Sequence, residues 1–101
     1  MLVRATGPAL AAFGINGFLG EPVLTVYNAK QVAVATNEGW DAAGGGAVIA
    51  AAGGLVGAFP LTAGSRDAAL LVSVAPGAYT VEIKGKDAAE GVALLEIYEV
   101  P

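Results

Sequence analysis

Histidine and cysteine are both absent from this 101-residue chain. Without them it lacks the commonest general base, the imidazole and thiolate metal ligands, and the thiol nucleophile. Disulfides are excluded too, which leaves the redox compartment open. Charge is scarce: 14% of residues are charged, against roughly 25% in an average soluble domain. The five basic residues are Arg4, Lys30, Arg66, Lys84 and Lys86, and the formal net charge is −4. Only Lys84 and Lys86 lie close together, so neither nucleic acid nor an anionic membrane surface has a basic footprint to meet. Serine is reduced to Ser65 and Ser73. Ser73 has no base beside it, and Ser65 lies in a Gly64-Ser65-Arg66-Asp67 turn where a hydroxyl ordinarily closes the loop.

Long apolar runs are missing as well. Arg4, Gly7 and Pro8 interrupt residues 1–20 before the core of a signal peptide can form. Ala42–Ser65 carries no charge and is long enough to cross a bilayer, but it is mostly alanine and glycine and contains Pro60. The Gly53–Gly57 spacing acts as a helix-association motif only within a convincing apolar span. This stretch reads as a small-residue helix or loop packed on a sheet, with no membrane insertion.

What is present is thin and apolar. Hydrophobic residues make up 55% of the chain, with 15 glycines besides. Alanine supplies much of this, and small side chains suit closely packed sheets. So few polar groups cannot cover the surface, which predicts burial of some apolar area against another copy or another domain. The length corresponds to one domain over 1–101.

Leu2–Thr6 reads as a strand, and Gly7-Pro8 breaks it. Ala9–Phe13 then makes one or two helical turns ended by Gly14. Val23–Asn28 and Gln31–Thr36 are β-rich runs around a turn at Ala29-Lys30, a hairpin signal. Ala47–Val56 has helical spacing, with Val48, Ala52 and Leu55 on one stripe and Ile49 and Val56 beside it. Ala68–Val74 is nearly all apolar, as for a strand buried on both faces. Pro76-Gly77 fits a type II turn leading into Ala78–Lys84. There Tyr79, Val81 and Ile83 alternate with Thr80, Glu82 and Lys84. Gly85–Gly91 reads as a hairpin loop before a last strand, Val92–Val100. The expected fold is all-β: an antiparallel β-sandwich of about six strands, jelly-roll or Ig-like, with one or two short helices. It is one strand short of the usual sandwich, so open edges are expected beside Leu2–Thr6 and Val92–Val100.

Asn37, Glu38 and Asp41 form a short oxygen-rich loop, the chain's weak calcium candidate. Their spacing matches no EF-hand, and the competing reading is a turn whose side chains bond their own backbone. Trp40 between them is a weak sugar-stacking candidate, or a lid over the core. Carboxylate catalysis finds no pair: Glu96 and Glu99 point to opposite faces of a strand, and Lys84 makes a solvated charged face around Glu82. No other cofactor is implied, and the chain is not expected to be an enzyme.

The stretches PVLTVYNAKQVAVATNEGWD (Pro22–Asp41) and PGAYTVEIKGKDAAEGVALLEIYEV (Pro76–Val100) resemble β-sandwich repeat domains of large secreted or surface multidomain proteins of environmental bacteria, Verrucomicrobia-type. More distantly they are similar to pre-peptidase C-terminal-like domains. Leu24, Tyr27, Ala35, Thr36, Asn37 and Trp40 fit that pattern, as do Pro76, Gly77, Tyr79, Thr80 and the string LVRATGPALAAFG. Glu38 and Gly39 stand where the pattern has an acidic pair. The resemblance implies an extracellular or cell-surface setting and further strands upstream of Leu2. The chain would then be an excised repeat, or its missing edge would come from another subunit. The expected function is a non-catalytic structural or interaction module that self-associates through open edges as a homo-oligomer, fibre, stalk or adhesion element. The alternative is a carbohydrate- or calcium-binding accessory domain centred on Asn37–Asp41.

Overall fold

The computed structural model describes residues 1–101, the side chain of Ala43 excepted. Among the described residues the chain forms six strands and one α-helix: β1 (Leu2–Thr6), β2 (Pro22–Tyr27), β3 (Ala33–Asn37), α1 (Gly46–Val56), β4 (Ala68–Leu71), β5 (Thr80–Gly85) and β6 (Leu94–Tyr98). Short 3-10 turns cover Pro8–Phe13, Ala42–Gly44 and Lys86–Ala88. The strands make two three-stranded antiparallel sheets, ordered β4-β1-β6 and β3-β2-β5. The fold is mostly β, as the sequence pattern predicts, and the two sheets do not close on each other.

β1 is the organising strand, and every residue in it is buried. Its period of two divides it between two cores. Val3 and Ala5 meet Leu24 and Ala68 between the sheets, with Leu70, Val72, Val81 and Ile83 packed around them. Leu2 points the other way, into a cluster with Trp40, Ile49, Ala52 and Ala69 beneath α1. A strand covered on both faces must be apolar on both, and β1 is, except at Arg4 and Thr6. The expected open edge beside Leu2–Thr6 is thus corrected: β1 is central, with β4 pairing on one side and β6 on the other.

The turn after β1 depends on a close approach. A Cβ on Gly7 would lie 1.8 Å from the Leu19 carbonyl oxygen, so only glycine fits there. The buried Asp67 carboxylate anchors the same turn, its Oδ1 accepting the N–H groups of Gly7 (2.8 Å) and Ala9 (3.0 Å). Its Oδ2 accepts the Ser65 hydroxyl at 2.7 Å, the loop-closing role expected of that serine.

Several local expectations change. β2 and β3 do form a hairpin, but its turn closes later than Ala29-Lys30: Asn28 Oδ1 accepts the N–H groups of Lys30 and Val32, and Gln31 takes φ 62°. β4 ends at Leu71 and leaves Leu71 and Ser73 exposed. The runs flanking Pro76-Gly77 and Gly85–Gly91 are not hairpins, because β5 lies in the opposite sheet from both β4 and β6. Changing sheets lets Leu70 and Val72 on one side, and Val81 and Ile83 on the other, face the same core. Gly77 keeps a negative φ, so no type II turn forms there. Glu82 therefore has no carboxylate neighbour across a hairpin; it pairs with Lys84 at 3.6 Å and accepts the Tyr27 hydroxyl.

α1 turns a different stripe inward. Ile49, Ala52 and Gly53 are buried and Val56 packs beside them, whereas Val48 is 58% and Leu55 69% exposed. Both stripes have helical spacing, but the buried one contains Gly53, whose missing side chain allows close contact. No helix among the described residues is long and apolar enough to cross a membrane.

Candidate functional site

The loop after β3 has its polar atoms committed to the fold. Asn37 Oδ1 accepts the Ala69 N–H at 3.1 Å and its Nδ2 donates to the Gly39 carbonyl. Asp41 Oδ2 accepts the Gly64 N–H at 2.7 Å, and Glu38 lies 3.4 Å from Lys86 Nζ. Among the described residues no group of three or more acidic side chains gathers as a metal cage would require. Backbone bonding by Asn37 and Asp41 is the competing reading offered by the sequence, and the structure places them so.

Trp40 leaves the loop and enters the core. It is 8% exposed, its backbone N–H donates to the Asp67 carbonyl, and its indole Nε1 donates to the Thr62 carbonyl at 3.0 Å. The ring is the lid the sequence allowed for, and not a surface platform. It also forms a wall of a cavity of about 250 Å³ under α1, with Ile49, Gly53, Ala58, Phe59 and Leu61.

Arg4 reaches the same cavity from β1. The period-two alternation that sends Leu2 beneath α1 sends Arg4 there too, and the residue is 2% exposed. Its Cζ sits 4.3 Å from the centre of the Phe59 ring, at cation–π distance. Phe59 is held edge-on by Phe13, ring centres 5.2 Å apart. Glu96, opposite Arg4 on β6, supplies a counter-charge: its Oε1 is 3.6 Å from Arg4 Nε. That gap is too long for a hydrogen bond. Arg4 Nε and Nη2 and Glu96 Oε1 are all buried without a hydrogen-bond partner. Glu96 Oε2 accepts the Tyr98 hydroxyl, and this bond, with burial and the Glu96 charge adding to it, raises the Tyr98 pKa above its ordinary 10.0 while Arg4 opposes the shift.

No family model, curated protein or solved structure matches the chain. The geometry alone therefore carries the functional argument. Sequence reasoning gave Arg4 no role beyond interrupting an apolar run. The signal was there: a lone arginine at the centre of LVRAT, on the face shared with Leu2, has to be buried if the strand is central.

A second feature lies at the sheet edge. β6 pairs only with β1, and its other side is open. Val92 (54% exposed), Leu94 (43%), Leu95 (41%) and Ile97 (52%) crowd this edge on both faces of the strand. Beside it, where the sheets diverge, Val74, Pro76, Tyr79, Val81 and Ile97 line a cleft of about 420 Å³.

Proposed function

We propose that the chain is a non-catalytic structural and interaction module of an extracellular protein, folded as a β-sandwich and self-associating through β6. The observation that carries the reading is the half-exposed apolar row along an unpaired edge strand. Proteins ordinarily blunt such edges with lysine, proline or very short strands, and β6 has the sequence LLEIY. The other edges are managed better: β4 is four residues long, and β5 carries Glu82 and Lys84. A second copy offers the same strand, and pairing two edges would satisfy their open backbone groups while covering Leu95 and Ile97.

The side-chain inventory supports the non-catalytic part, since the chain has neither histidine nor cysteine. The face-to-face packing of Val3 and Ala5 against Leu24 supports the sandwich reading. The extracellular setting rests on the resemblance of the Pro22–Asp41 and Pro76–Val100 stretches. Sedimentation velocity across a wide concentration range tests the proposal. The expected result is reversible association that Leu95→Lys and Ile97→Lys abolish without lowering the melting temperature. A wild-type chain that stays monomeric at several hundred micromolar would overturn it.

A further inference from the structure

Buried polar groups in native proteins almost always have partners. The two unpartnered Arg4 nitrogens therefore call for an explanation. They belong to a fully buried guanidinium that borders an otherwise mostly apolar cavity. We propose that this cavity binds a small neutral molecule in which a carbonyl or amide oxygen, carried on a compact aromatic or aliphatic body, accepts from Arg4.

Three properties of the site define the ligand class. The first is size: about 250 Å³ exceeds the roughly 150 Å³ of an apolar cavity known to hold benzene. A ring with a short polar side arm fits. The second is the lining, in which Trp40 and Phe59 offer aromatic surfaces and Ile49, Ala58 and Leu61 aliphatic ones. The third is charge. Glu96 already balances Arg4 across 3.6 Å without satisfying its N–H groups. The site thus needs an acceptor and has no need of an anion. A ligand carboxylate would gain Arg4 but would be repelled by Glu96 in a low-dielectric surrounding. An amide oxygen takes the hydrogen bond without that repulsion, and hydrogen bonds to charged groups rank among the stronger ones.

The test titrates the full chain with three matched probes: 3-phenylpropanamide, 3-phenylpropanoate and propylbenzene. Binding is followed by the NMR signals of the Trp40 indole N–H and the Arg4 Nε–H. The amide is expected to bind saturably, about tenfold or more tighter than the hydrocarbon, and tighter than the carboxylate. In Glu96→Gln the counter-charge is gone, and the order of amide and carboxylate should reverse. Gly53→Leu should abolish binding, because Gly53 lines the cavity and a Cβ there meets only the Ala58 methyl at 3.9 Å. If that variant does not fold, the wild-type series and Glu96→Gln decide the matter by themselves. Equal binding of amide and hydrocarbon, preference for the carboxylate in the wild type, an unchanged order in Glu96→Gln, or no binding at all would each overturn the proposal.

Discussion

Replacing Asp67 by alanine removes three hydrogen-bond acceptances at once, and the loss can be worked out bond by bond. The Gly7 N–H, 2.8 Å from Oδ1, is left in a buried site. A buried donor without an acceptor costs about 1–3 kcal/mol, and the upper half applies where water has no access. The Ala9 N–H at 3.0 Å and the Ser65 hydroxyl at 2.7 Å are only partly buried, so water recovers much of each. Relief from burying a charge offsets a further part. The expected cost of Asp67→Ala is about 3 kcal/mol, a large fraction of the stability of a small domain. Asp67→Asn behaves differently: its carbonyl oxygen still accepts both N–H groups, and its amide can donate to a rotated Ser65 hydroxyl. That variant should lose about 1 kcal/mol. Urea unfolding followed by Trp40 fluorescence measures both, and the midpoint should fall by roughly 2 M for alanine at an unchanged slope. An alanine variant within 1 kcal/mol of wild type would refute the reasoning, as would an asparagine variant equally damaged.

Gly7→Ala should cost about 2–3 kcal/mol through its collision with the Leu19 carbonyl, and calorimetry would show whether the turn yields more easily. Gln31 holds φ 62°, so Gln31→Gly is expected to stabilise the hairpin by about 0.5–1 kcal/mol, left-handed strain relieved less the added freedom of the unfolded chain; a lower urea midpoint would contradict this. Tyr98 has its pKa raised above 10.0 by the bond to Glu96, so it contributes stability that is complete below the unfolded value and lost as pH rises through the folded one. Stability measured from pH 8 upward should therefore decline less steeply in Tyr98→Phe than in wild type once the pH passes about 10, and parallel declines would dismiss the linkage.

Most of the fold was legible where residue type is decisive. Pro8 and Gly14 bracket their turn, and Gly57 ends α1 in the left-handed conformation. Val81 and Ile83 face inward by simple alternation. Strand partners were not legible, because alternation says which face is buried and leaves open which sheet a strand joins. β4, β5 and β6 follow one another like a meander, and only the packing of Val72 and Val81 around one core reveals the crossings. α1 was ambiguous for another reason: a helix made of alanine, glycine, valine and isoleucine offers two apolar stripes, and shape decides between them. At the site, Trp40 stood out by its type, whereas Arg4 needed the position of β1 in the sheet before its burial made sense.

The central place of β1 also governs how the fold can be reached. Val3 pairs with Leu70 on one side and Ile97 on the other, so both of its ladders close loops of more than 60 residues. β2 and β3, by contrast, join through a turn of five residues between Tyr27 and Ala33. Loop closure must be completed before long-range pairs return any free energy, and such topologies fold slowly. The β2–β3 hairpin is thus the natural starting point. Leu2, Val3 and Ala5 remain uncovered until distant strands arrive, and that interval is when the chain is most exposed to pairing with the wrong neighbour.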